Sequence, residues 1–194
     1  VSAAPRSSYS SAAIAFHWVI ALLLVGNFIG GLWMGGLLDS PDPATKRLGF
    51  TVIQLHKSIG LTVLVLSLLR LLLRLTTDRP PLPDHMTATE QLLAKLTHWG
   101  FYAVMILVPF TGWVMVSASP LNFPTLWFGL FEWPHLPIAT SKATSGAAGE
   151  AHEIIAYLGA GLFVLHVLAA LKHHYFDRDD VLARMLPLVR RRPS

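Results

Sequence analysis

Residues 150–176 read EAHEIIAYLGAGLFVLHVLAALKHHYF. Between Glu153 and Lys172 the run carries no acidic or basic side chain apart from His166. A helix needs about 20 mostly apolar residues to cross the hydrocarbon core of a bilayer, and this stretch supplies them. It also holds His152, Gly159, His166 and His173 at intervals of seven. Seven residues are nearly two helical turns, so the four positions share a face, drifting by only about 20° per heptad. His152 and His166 are then about 21 Å apart along the axis, a separation that suits two redox groups stacked across a membrane.

Three other stretches, about 12–38, 50–76 and 91–118, are also long and apolar enough to span, as 150–176 is. The first is too long for the apolar core of a secretory signal and lacks a small-residue cleavage site. The composition agrees: 53% of the 194 residues are hydrophobic and 13% are charged, against about 25% charged in an average soluble domain. This argues against a cytosolic enzyme, a disordered chain or a nucleic-acid binder. The fold expected is all-α, a single membrane domain forming an antiparallel transmembrane four-helix bundle. Residues 39–49 should form a short turn-rich loop. Pro80, Pro81 and Pro83 should stop the second helix. Residues 119–149 should be an external loop, with Trp127, Phe128, Phe131 and Trp133 as an aromatic belt at the headgroups. Residues 177–194 should be a polar tail.

Four spans put both termini on one side. That side carries Arg6, Arg70, Arg74, Arg79, Lys95, Lys172, Arg178, Arg184, Arg190, Arg191 and Arg192, and the other carries Lys46, Arg47, Lys57 and Lys142. The excess of positive charge predicts cytoplasmic termini.

Cysteine is absent, which excludes disulfides, iron–sulfur ligation, thiolate zinc and thioether-linked haem. Nine histidines remain. A histidine within a membrane is costly and marks a candidate site. On the outer half only His56 and His152 lie within spans, so they form the expected outer pair. The inner half offers His17, His98, His166 and His173, and spacing does not choose among them. His85 and His135 fall in loops and should simply be solvated. Two axial imidazoles at each of two depths suit two non-covalent b haems. Competing readings are interhelical hydrogen bonding, a zinc site, which wants three or four clustered ligands, and a copper or proton relay. Arg70 follows His56 by fourteen residues and so shares its face at the inner level, with Arg74 one turn on. Both could bind haem propionates by charge-assisted bonds, or snorkel to headgroups.

The segments FHW (16–18), QLHKSIG (54–60), RLLLRL (70–75), THWGFY (97–102), LVPFTGW (107–113), AHE (151–153) and LHVLAALKHHYF (165–176) run in order through every span. In this the chain resembles the bacterial cytochrome b561 family of four-helix, di-haem, quinone-linked proteins. The resemblance implies that His17 and His166 hold the inner haem iron, and His56 and His152 the outer. It places His98 and His173 at a quinone-binding end. It further implies electron transfer from superoxide on the outer side to ubiquinone, a superoxide:ubiquinone oxidoreductase, or else a non-enzymatic relay or anchor subunit for a periplasmic dehydrogenase or hydrogenase. For superoxide, Lys57 beside His56 would steer the anion, with Lys46, Arg47 and Lys142 adding to the field. Glu150, just before His152, would oppose it.

Overall fold

The computed structural model describes residues 9–77, 80–83, 85–186 and 188. Arg6, Arg79, Arg190, Arg191 and Arg192, used above in the charge count, lie outside them. Four long helices run antiparallel: α1 (Ser11–Leu38), α2 (Pro43–Thr76), α3 (Ala88–Ala118) and α4 (Lys142–Lys172). All four are long and apolar enough to cross a membrane.

Each helix starts on a side chain that accepts a backbone N–H of its first turn: Ser10, Asp42, Thr87 and Ser141. Such caps satisfy donors that have no intrahelical partner. At α2 the cap is followed by Pro43, where a missing N–H costs nothing. At α3 Thr87 and Glu90 form a reciprocal capping box. Three expected boundaries therefore move. The loop expected over 39–49 is helical from Pro43, α3 begins at Ala88, and α4 begins at Lys142. The α3–α4 connection is accordingly 119–141. Within it, β1 (Thr125–Trp127) and β2 (Phe131–Trp133) pair antiparallel as a small hairpin. Its turn is carried by Phe128 and Gly129, both at positive φ. Past Lys172 the chain widens into a π-helical turn (His173–Asp177), breaks at Arg178 with φ 56°, and ends in a short α5 (Val181–Met185).

α1 packs along α2, α3 along α4, and α2 against α3. The small central core is Ile20, Val63, Tyr102 and Met105. Most other large apolar side chains face outward; Leu22 is 71% and Leu158 65% exposed. In lipid that exposure is not penalised, and helix association depends on close van der Waals packing and polar contacts instead. Gly159 shows such packing. A Cβ there would lie 2.6 Å from Val104 Cγ1, so this glycine lets α3 and α4 approach.

Candidate haem-ligand clusters

Two groups of histidines form inside the bundle, one toward the hairpin end and one toward the end carrying the termini. At the hairpin end, His56 on α2 faces His152 on α4 with ring centres 6.0 Å apart. His56 Nδ1 lies 3.1 Å from the carbonyl of Asn27 on α1, and His152 Nδ1 lies 2.8 Å from the carbonyl of Val108 on α3. A carbonyl only accepts, so both Nδ1 atoms carry the proton and both Nε2 atoms carry the lone pair. Metal-bound imidazoles generally donate their second nitrogen to a carbonyl or carboxylate in this way, which fixes the ring and raises its basicity.

Sequence reasoning missed the two glycines that open these carbonyls. Gly31 follows Asn27 by four residues, and Gly112 follows Val108 by four. The side chain at i+4 would lie over the carbonyl of residue i. A Cβ on Gly31 would meet His56 Cε1 at 3.1 Å, and one on Gly112 would meet His152 Nδ1 at 3.0 Å. The same device thus stands on α1 and on α3. Glycine content did not single them out, because α1 also holds Gly26, Gly30, Gly35 and Gly36, and α3 also holds Gly100.

At the terminal end, His166 on α4 is approached by two rings. His17 on α1 lies 6.3 Å away and His98 on α3 lies 6.2 Å away, centre to centre. Arg70 Nη2 donates to His17 Nδ1 at 3.1 Å, which places the proton of that imidazole on Nε2. Arg70 and Arg74 also lie over the Tyr102 ring, and Arg74 over Trp99. Nε of Arg74 is buried with no hydrogen-bond partner. A cavity of about 530 Å³ opens beside it, lined by Tyr9, Arg74, Thr77, Leu82, Lys95 and His98 among others. Small-molecule sites typically span about 300–1,000 Å³.

The clusters fit b haem. A metal-bound imidazole nitrogen lies about 2 Å from its metal, with the ring centre about 1 Å beyond it, so two imidazoles on one axis have centres about 6 Å apart. His56–His152 meets this, and so do both His17–His166 and His98–His166. The split into two depths, with no cysteine, suits two bis-imidazole irons better than one zinc.

His173 is 9% exposed, and its Nδ1 lies 2.7 Å from Asp179 Oδ2. His85 is bonded to the same carboxylate at 3.2 Å. His135 Nε2 is shut off from solvent and has no partner among the described residues. Neither loop histidine is therefore simply solvated. Lys57 Nζ donates to the carbonyl of Pro124 at 2.7 Å. Gln54 bonds the same carbonyl and the N–H of Leu126, and Ser58 bonds Leu126 O and Phe128 N. Around His56, the QLHKSIG segment thus docks the β1–β2 hairpin.

Known proteins resemble this chain over most of its length. The family described as prokaryotic cytochrome b561 matches residues 8–188. Cytochrome b561 homolog 2 of Escherichia coli is 34% identical, over 92% of this chain and 90% of its own length. The probable superoxide oxidase CybB of Yersinia pestis is 29% identical over 94% and 97%. Cytochrome b562 of Cereibacter sphaeroides is 29% identical over 92% and 94%. With four apolar helices and a family match over almost its whole length, the chain belongs to the prokaryotic cytochrome b561 family of membrane electron-transfer proteins that bind b-type haem.

Proposed function

We propose that this protein moves single electrons across the membrane between a donor at the hairpin end and a quinone at the terminal end, using two b haems. The observation that carries this is the pairing of imidazoles at two depths, each pair about 6 Å apart. His56 and His152 would hold one haem, and His17 and His166 the other; at His17 this requires Arg70 to release Nδ1, so that the proton moves there and Nε2 is free for iron. A bound haem iron supplies one-electron oxidation and reduction at each level. The chain's own residues fix ring orientation through the Asn27 and Val108 carbonyls. Arg70 and Arg74 bring positive charge to the level where propionates need partners.

The quinone would use the 530 Å³ cavity. His98 and Lys95 line it, and an imidazole there can donate to a quinone carbonyl and supply a proton on reduction. Superoxide is the proposed donor, as the printed name of the Yersinia relative suggests for that protein. Lys57 keeps a positive charge one residue from His56. A relay for a periplasmic dehydrogenase or hydrogenase is the second reading. It is favoured by the half-exposed aromatic hairpin, where Phe128 and Phe131 are 43% and 49% exposed and available to a partner. With the bundle inserted termini inward, the donor side is periplasmic.

The test is optical. Purified protein should show two haems per chain, both reduced by ubiquinol and both re-oxidised by ubiquinone. Superoxide pulses should reduce the haems when quinone is present to receive the electrons. Haem that responds to quinol and not to superoxide would move the relay reading to first place. One haem per chain would end the two-haem reading.

A further inference from the structure

His85, His173 and Asp179 meet where the connection between α2 and α3 touches the end of α4. Asp179 Oδ2 lies 3.2 Å from His85 Nε2 and 2.7 Å from His173 Nδ1, and all three atoms lie within 4.8 Å of one another. Ligand atoms around a tetrahedral zinc, each about 2 Å from the metal, are about 3.3 Å apart. The donor set is two imidazole nitrogens and a carboxylate oxygen, which suits zinc and its first-row neighbours. We propose that these three residues bind one divalent cation of the zinc type, which ties the α2–α3 connection to the end of α4.

Three further features support the site. The Asp179 side chain is only 8% exposed, and among the described residues its ion-pair partners are these two imidazoles, with no lysine or arginine. A carboxylate so enclosed needs positive charge near it. Its other oxygen accepts the N–H of Val181 at 3.0 Å, an orienting bond of the kind that metal-ligating carboxylates have. Finally, the π-helical turn beginning at His173 and the left-handed Arg178 bring His173 and Asp179, six residues apart, onto one point. π-bulges of this kind recur at functional sites. His85, with its side chain 52% exposed, leaves a side open for entry and for a water as fourth ligand. Asp177 Oδ2 is also 3.2 Å from His173 Nδ1, but Lys172 holds it at 2.8 Å.

The site is separate from both haem-ligand clusters, yet it acts on the cavity beside the terminal cluster. The same connection supplies Pro80 and Leu82 to the cavity wall. Arg184 Nη1 grips the Pro81 carbonyl at 2.6 Å from the tail. A cation on His85 would lock the second end of this wall segment to the tail and stiffen the mouth of the cavity.

The experiment is a calorimetric Zn²⁺ titration of haem-loaded, tag-free protein stripped with chelator, alongside His85→Ala and a His135→Ala control. The expected result is one Zn²⁺ per chain, with an affinity of about 10 µM or tighter in parent and control and at least about tenfold weaker in His85→Ala. Zn²⁺ should also slow hydrogen exchange across 80–87 in the parent only. Asp179→Asn keeps a hydrogen-bonding oxygen but loses the charge, and should weaken Zn²⁺ similarly. The Soret spectrum shows that each variant is folded, and His85→Gln replaces His85→Ala if that variant loses haem. Parent binding weaker than this, or equal in the parent and the His85 variant, overturns the proposal and leaves the cluster a hydrogen-bonded His–Asp–His group.

Discussion

At His152 the contact that decides chemistry is made by a backbone carbonyl. The Val108 oxygen accepts the Nδ1 proton at 2.8 Å, so the Nε2 lone pair is left free for a metal. His56 is set in the same way by Asn27. Replacing either histidine with alanine should remove the same haem and about half of the Soret intensity, since one iron needs both rings. Gly112→Ala should do something subtler. Its methyl would crowd His152 Nδ1 from 3.0 Å and cover the Val108 carbonyl, so haem affinity at this level should fall about 10–100-fold. The readout is haem per chain after dialysis against apomyoglobin. Gly161→Ala, where nothing lies within 4 Å, should match the parent. At the other level, geometry alone leaves His17 and His98 almost equidistant from His166. If the family resemblance assigns the pair correctly, His17→Ala should lose a haem, whereas His98→Ala should keep both and slow quinone reduction. Loss of haem from the His98 variant would exchange their roles.

Helix identity was legible in the sequence because a span must satisfy every backbone bond internally, and that demand leaves a long uncharged run. Helix starts were harder to read, although their signals were present. Asp42 and Ser141 are cap residues lying eight and nine residues ahead of the apolar runs at 50 and 150, and hydropathy does not register a polar first turn. The β1–β2 hairpin was not legible at all. Its strands are three residues long and are held by side chains of α2, a long-range docking that no local pattern reveals. Ser58 is the central clamp: fully buried, its hydroxyl accepts from Phe128 N and has one proton to share between Gln54 O and Leu126 O. Leu126 O also accepts the N–H of Gly129, so Ser58→Ala should leave the Phe128 N–H unpaired, at about 1–3 kcal/mol. The hairpin should then become the first protease-sensitive segment, with haem content unchanged. The cap at Asp42 gives a pH test. The hydroxyl and N–H of Thr45 hold its carboxyl below the usual carboxylate value, so the cap is fully formed above that usual value and is lost as pH falls through the lowered one. The Thr45 amide resonance should follow this titration in the parent and stay fixed in Asp42→Asn, whose amide oxygen still accepts.

Across the whole molecule, antiparallel packing puts the two histidine clusters at opposite ends of one bundle and gives each end different surroundings. The terminal end holds Arg70, Arg74, Lys95 and the cavity. The hairpin end holds Lys57, bonded to Pro124 beside His56. That lysine has two separable roles, and one substitution series distinguishes them. If it only docks the hairpin, Lys57→Met and Lys57→Glu should loosen residues 124–128 equally and affect electron entry equally, at any salt concentration. If its charge also steers superoxide, Lys57→Glu should slow superoxide-driven haem reduction more than Lys57→Met does. The gap should be largest at low ionic strength and should close near 1 M salt, where the Debye length falls from about 10 Å at 0.1 M to about 3 Å. Quinol oxidation at the terminal end should be unchanged in both, because that end lies most of a bilayer thickness away. Pulses of superoxide on the parent and the two variants at low and high salt give the answer. Equal rates for the two variants at both salts would reduce Lys57 to a docking residue. If charge reversals at Lys46, Arg47 and Lys142 were silent as well, electrostatic steering would be excluded, and a protein partner at the aromatic hairpin would become the donor to seek.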